Sequence, residues 1–127
     1  MRHVATAALL LMALVHLPPL LGVLGVERLA ALYGIDVASP DLEILMRHRA
    51  VLFGLLGAYQ AWAVFRPAHR TVAFVAGIVS LGAFLALVYA TPGHNAALAR
   101  LAAIDTVALV FALVGLAAHL AQGSKVN

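Results

Sequence analysis

Residues 71–90 read TVAFVAGIVSLGAFLALVYA, a run without one charged side chain. A helix needs about 20 mostly apolar residues to cross the hydrocarbon core of a bilayer. This run is long enough and dry enough. It is flanked by RPAHR at 66–70 and TPGHN at 91–95, both polar and both carrying proline. It reads as a membrane-spanning helix, and the rest of the chain can be read outward from it.

Three more stretches reach the same length. On the N-terminal side lie 44–65, polar at its start, and 4–25, interrupted by His16. On the C-terminal side lies 97–120, with Asp105 inside it. The expected fold is all-α: one domain over 1–127, a four-transmembrane-helix bundle. The whole composition agrees. Of 127 residues, 65% are hydrophobic and 10% charged, and the mean hydropathy is +1.04. Soluble domains carry about 25% charged residues. A chain this size still exposes roughly a third of its surface when folded, so the solvent of this one must be lipid. That excludes an ordinary soluble enzyme, a disordered chain and a secreted disulfide scaffold. With no cysteine, thiolate chemistry and cysteine metal sites are excluded too. The formal charge of +3 comes from basic residues scattered singly, not from a phosphate-tracking stripe, so no nucleic-acid partner is expected.

The N-terminal MRHVATAALLLMALVHLPPLLG has the look of a signal peptide. Its apolar run exceeds the roughly 7–15 residues of a signal core, and no A-x-A site follows. A retained span is expected.

The connections are unequal. RPAHR at 66–70 suits a tight turn at the headgroups. Residues 27–43 form the one long connection. It opens on VERLAALY, where Val26, Leu29, Ala30 and Tyr33 recur at helical spacing. Gly34 then suits a helix stop. A short amphipathic helix at the membrane interface is expected, with an extension of the first span as the alternative. Ser39-Pro40 has the form of an N-cap with proline at the first helical position, and Thr91-Pro92 stands similarly before the last span. Gly54, Gly57, Ala58 and Ala61, and in the next span Ala73, Ala76, Gly77 and Ser80, follow small-xxx-small spacing. They read as packing devices that let helices approach. Arg2, Arg66, Arg70 and Lys125 fall on one side. Glu27, Arg28, Asp36, Asp41, Glu43 and Arg100 fall on the other. The positive-inside rule then places both termini in the cytoplasm.

Arg47-His48-Arg49 is the strongest local feature. Counted from Pro40, it sits about 10–14 Å along the second span. Three successive side chains sweep about 200° of a helix, so at least one must face the bundle. Asp105 is the only acidic residue inside a span and lies about 15 Å along the fourth, at a similar depth. A lone buried carboxylate is costly. An Arg–Asp pair with Arg49 or Arg47 as donor is the economical arrangement. Such a pair has two readings: a lock on helix register, or the polar lining of a pocket open to the outer side. Gln60 lies on nearly the same face as Arg49 and extends the polar stripe. Tyr89 and Asn95, with His94, end the third span on the pocket side. Tyr59 and Trp62 mark the interface or the pocket wall. The candidate ligand-binding set is therefore Arg47, His48, Arg49, Gln60, Tyr89, Asn95 and Asp105. No metal or cofactor is expected. His16, just before Pro18-Pro19, is better explained by a hydrogen bond to a backbone carbonyl than by metal or haem ligation, since His48 lies about a turn away in depth.

The stretch LYGIDVASPDLEILMRHRAVLFGLLG, residues 32–57, resembles a family of small bacterial four-helix membrane proteins of the DoxX-like group. Its most specific part is residues 47–57, with Tyr33-Gly34 before it. The resemblance implies a multi-pass protein of the bacterial inner membrane and an association with quinone-linked respiratory or redox-defence systems. Some members of the family carry the label phosphopantetheine adenylyltransferase. This chain has neither the H-x-G-H motif nor the soluble nucleotidyl-transfer domain that such an activity requires.

The leading expectation is a protein that binds a small lipophilic molecule, a quinone, isoprenoid or lipid, within the bundle. Its polar head would meet the Arg/His/Asp cluster. Two alternatives remain. One is a membrane isomerase or hydrolase using His48 or Asp105 for proton transfer. The other is a non-catalytic assembly subunit, with a second copy or a membrane complex as partner.

Overall fold

The computed structural model describes residues 1–123, so Lys125 and its place in the topology lie outside the described residues. The described chain is helical: α1 (Arg2–His16), a 3-10 segment (Pro18–Leu24), α2 (Val26–Tyr33), α3 (Pro40–Ala63), a 3-10 turn (Pro67–His69), α4 (Arg70–Ala90) and α5 (Ala96–Gly123). Among the described residues, three stretches are long and apolar enough to cross a membrane: Arg2–Leu24, Pro67–Ala90 and Ala96–Gly123. The α3 helix is comparably long, at 24 residues. It is not one of the three, because Asp41, Glu43, Arg47 and Arg49 crowd its first half.

The prolines act at the first break. Pro18 and Pro19 have no N–H to continue the α-ladder, so α1 ends at His16 and the chain tightens into 3-10 turns. Gly25, at φ 144°, then turns the chain into α2. This makes α2 a separate helix rather than a continuation of the first span. Its inward face is Leu29 and Tyr33, both buried. Gly34 stops it in the left-handed conformation, φ 62°. Glycine is needed there twice over: a Cβ would be strained and would sit 3.2 Å from the Ala97 Cβ. Ser39 caps α3 as expected, its Oγ accepting the Leu42 N–H at 3.1 Å. At α5 the cap is not Thr91. Asn95 Oδ1 accepts the Leu98 N–H at 2.9 Å, and Asn95 Nδ2 donates to the carbonyls of Tyr33 and Gly34. One side chain thus both starts α5 and ties down the end of α2. At the other end of the bundle, buried Arg70 donates to the Ala63 and Val64 carbonyls and closes the C-terminus of α3.

The four long helices form a ring. α1 packs on α3 and α5, α4 packs on the same two, and α1 meets α4 only slightly across the middle. Small residues set the spacing. A Cβ on Gly54 would come 2.6 Å from Leu20 Cδ1, and one on Gly57 2.8 Å from Leu17 Cγ. These two glycines let α3 lie against the end of α1 and the 3-10 segment. Two apolar clusters result. One joins Leu9, Met12, Phe74 and Ala112. The other joins Leu85, Val88 and Ala102 nearer the α2 end. The outward faces are apolar as well, including Leu10, Leu55, Val79 and Val110. Large apolar surface of that extent on a monomer needs a non-aqueous neighbour, and a bilayer supplies it.

Candidate functional site

A cavity of about 340 Å³ opens between the two clusters. Every long helix and α2 contribute to its wall. Leu11, Leu14, Val15 and His16 come from α1, Leu32 and Tyr33 from α2, and Arg49 and Phe53 from α3. Leu81 and Phe84 come from α4, and Leu101, Ile104 and Asp105 from α5. The volume lies within the range of small-ligand pockets, roughly 300–1,000 Å³. Its wall is apolar except for His16, Tyr33, Arg49 and Asp105.

Arg49 is held by its neighbours on three sides. One terminal N–H donates to the Tyr33 hydroxyl at 2.7 Å. The guanidinium carbon lies 5.0 Å from the centre of the Tyr33 ring and 4.5 Å from that of Phe53. A cation between two aromatic faces is stabilised by about 0.5–2 kcal/mol per face, more as water is excluded. Phe53 also stacks on His16, with ring centres 5.6 Å apart. His16 is fully buried. Its Nδ1 is 2.8 Å from the Met12 carbonyl, and its Nε2 is 3.2 Å from Ser80 Oγ. The carbonyl acceptor expected for His16 is therefore present, and it belongs to the preceding turn of α1 rather than to the proline break. Beyond that bond, His16 forms part of the cavity wall.

The expected Arg–Asp ion pair is not made. Arg47 pairs with Glu43 at 3.0 Å and donates its Nε–H to the Val23 carbonyl. Arg49 has turned to Tyr33. Asp105 feels Arg49 electrostatically, yet no cation lies within ion-pair distance of it and it makes no hydrogen bond among the described residues. The two charges share a cavity without closing on each other.

Of the candidate residues, Arg49 and Asp105 meet at the cavity and the other five do not line it. Arg47 is exposed and fastens α3 to the 3-10 segment. His48 is exposed on the outside of α3, and Tyr89 is exposed at the end of α4. Asn95 is the cap described above. Gln60 is fully buried but lies deeper, against Met12 and Gly77, and its one polar neighbour is His16; among the described residues its amide makes no hydrogen bond of good geometry. Tyr59 and Trp62 gather around His69 at the α3–α4 turn, away from the cavity. Sequence reasoning did not place His16, Tyr33 and Phe53 at the site. For Phe53 a signal existed, because it stands four residues after Arg49 and such pairs share a helix face. For Tyr33 none did, since its partner is sixteen residues away on another helix.

A second apolar cavity, about 360 Å³, lies between α1 and α5 and shares Leu11, Val15 and Ile104 with the first. It adds Ala103, Val107 and Ala108, so an apolar groove adjoins the cavity on the α1–α5 side of the bundle.

Comparison with protein-family models, with curated proteins and with solved structures finds no match for this chain.

Proposed function

We propose that this protein is an integral membrane protein that binds a small lipophilic molecule, a quinone, isoprenoid or lipid, in the cavity beside Arg49 and Asp105. In this reading α3 is a fourth span. Its arginines are tolerated because Arg47 reaches the Val23 carbonyl near one end and Arg49 is enclosed by aromatic rings. The α2 helix lies at the interface and closes that end of the bundle. The termini face the cytoplasm of a bacterium, with the α2 end outward. The resemblance of residues 32–57 to DoxX-like proteins is compatible with this assignment.

The observation that carries the reading is that Arg49, held only by Tyr33 and Phe53, and Asp105 face an otherwise apolar cavity with no counter-ion among the described residues. Leaving a carboxylate and a guanidinium without counter-ions in a low-dielectric setting costs several kcal/mol unless something satisfies them. A structural lock would have brought them together. Binding is favoured over turnover. His48 lies outside the cavity and both ring nitrogens of His16 are engaged, so Asp105 alone would have to move protons.

The test is native mass spectrometry with lipid extraction on the full chain in mild detergent. It compares the natural protein with Arg49→Ala and Asp105→Asn, and uses Arg47→Ala and His48→Ala as folded controls. A defined small molecule retained by the natural protein and both controls, and lost from both cavity variants, is expected. Retention unchanged in Arg49→Ala and Asp105→Asn would reject the site.

A further inference from the structure

The charge balance and the shape of the cavity narrow the ligand, given the binding reading above. Arg49 has donors to spare: a guanidinium carries several N–H groups, and only the one given to Tyr33 has an acceptor among the described residues. Asp105 offers carboxylate oxygens with no donor opposite them. The two formal charges cancel. An anionic head would gain at Arg49 and be repelled at Asp105, while a cationic head would do the reverse. A neutral head that accepts on one side and donates on the other satisfies both. The rest of the wall then sets the remainder of the molecule. Leu11, Val15 and Ile104 line both the cavity and the adjoining α1–α5 groove, where polar lining is nearly absent. Ile104 and Val107, which line the groove, are exposed, so a tail lying there reaches the lipid-facing side.

We propose that the ligand is a neutral single-tail amphiphile whose head carries both a carbonyl oxygen and an N–H or O–H donor, as in a fatty amide or a hydroxy-ketone. The carbonyl accepts from Arg49, the donor gives to Asp105, and the tail occupies the groove between α1 and α5. Access is lateral, from the bilayer, and needs no opening at the aqueous end. The guanidinium is already clamped between Tyr33 and Phe53, so little of its freedom remains to be lost on binding.

Three probes of equal tail length separate the terms: tetradecanamide (carbonyl and donor), methyl tetradecanoate (carbonyl only) and sodium tetradecanoate (anion). Each is titrated into the delipidated full chain in nanodiscs, and binding is read by native mass spectrometry. The amide is expected to bind at least about ten-fold more tightly than either other probe, equivalent to about 1.4 kcal/mol. Asp105→Leu, which removes the acceptor, should bring the amide close to the ester, and Arg49→Ala should weaken both. A bulky side chain in the groove, Ala108→Phe, should exclude all three while leaving Arg49 and Asp105 intact. Equal binding of amide and ester, or an amide preference that survives Asp105→Leu, overturns the head assignment and leaves the binding reading standing. Tight binding of the anion, dependent on Arg49, does the same. Failure of every probe, with no endogenous molecule retained by the natural protein, overturns both.

Discussion

Gly115 on α5 offers a sharp test of the packing that frames the cavity. A Cβ built there falls inside van der Waals contact with the Ala8 Cβ of α1 and 2.9 Å from Cε1 and Cζ of Phe74. Ala8 has no side-chain freedom with which to yield, and Phe74 is fully buried. Gly115→Ala must therefore push α1 and α5 apart. Overpacking of this kind costs about 1–3 kcal/mol. Alanine also recovers about 1 kcal/mol of helix propensity over glycine, so the expected net effect runs from neutral to about 2 kcal/mol of destabilisation. Gly82→Ala on α4 isolates that second contribution. Nothing lies within 4 Å of a Cβ there, so the same propensity gain arrives without a clash. The difference between the two variants is then the packing cost alone, about 1–3 kcal/mol. Equilibrium unfolding in mixed detergent micelles, followed by far-ultraviolet circular dichroism, measures it. If the two variants were equally stable, α1 and α5 would not meet closely at Ala8, and the placement of the groove between them would lose its support.

Two further variants probe polar groups outside the cavity. Asn95→Ala removes the α5 cap and both bonds to the end of α2. The same micelle titration should show a loss of about 1–2 kcal/mol; no loss would mean that the cap does not hold α2 in place. Gln60→Leu replaces a buried amide that makes no hydrogen bond of good geometry, with His16 as its one polar neighbour, by an apolar group of similar size, and stability should rise by about 1–3 kcal/mol. A fall instead would show that the amide has a bound partner in the folded protein.

Much of the architecture was legible in the chain alone. Residues 71–90 contain no charge, and that suffices for a membrane helix whatever surrounds it. Ser39-Pro40 and Gly34 marked helix ends correctly because capping and left-handed turns depend on only a few neighbouring residues. Thr91-Pro92 resembled the same signal, but Asn95 stands one residue before α5, and the cap went to it. The charge-rich start of α3 shows the limit of counting: its length suits a span, while its composition places it outside the apolar set. Whether lipid accepts it depends on what encloses Arg49.

The site divides in the same way. Composition and depth along each helix identified Arg49 and Asp105 as groups that need an explanation, because a charge within an apolar run is costly in any fold. Local sequence also accounts for the exposed Arg47, paired with Glu43 one helical turn away. What one chain read in order does not contain is the direction each side chain takes across the bundle. That was decided by α2 folding back to bring Tyr33 to Arg49, by Gly54 and Gly57 letting α3 settle against the end of α1, and by Phe53 filling the space between Arg49 and His16. These contacts join residues far apart in sequence, and each depends on helix rotation and spacing that many side chains set together. The sequence alone determined that the protein is helical, that its apolar helices suit lipid, and which charges interrupt long helical runs. Only the tertiary structure decided that Arg49 and Asp105 would face a cavity rather than each other, because a nearby aromatic hydroxyl and two ring faces offered the guanidinium a competing set of partners.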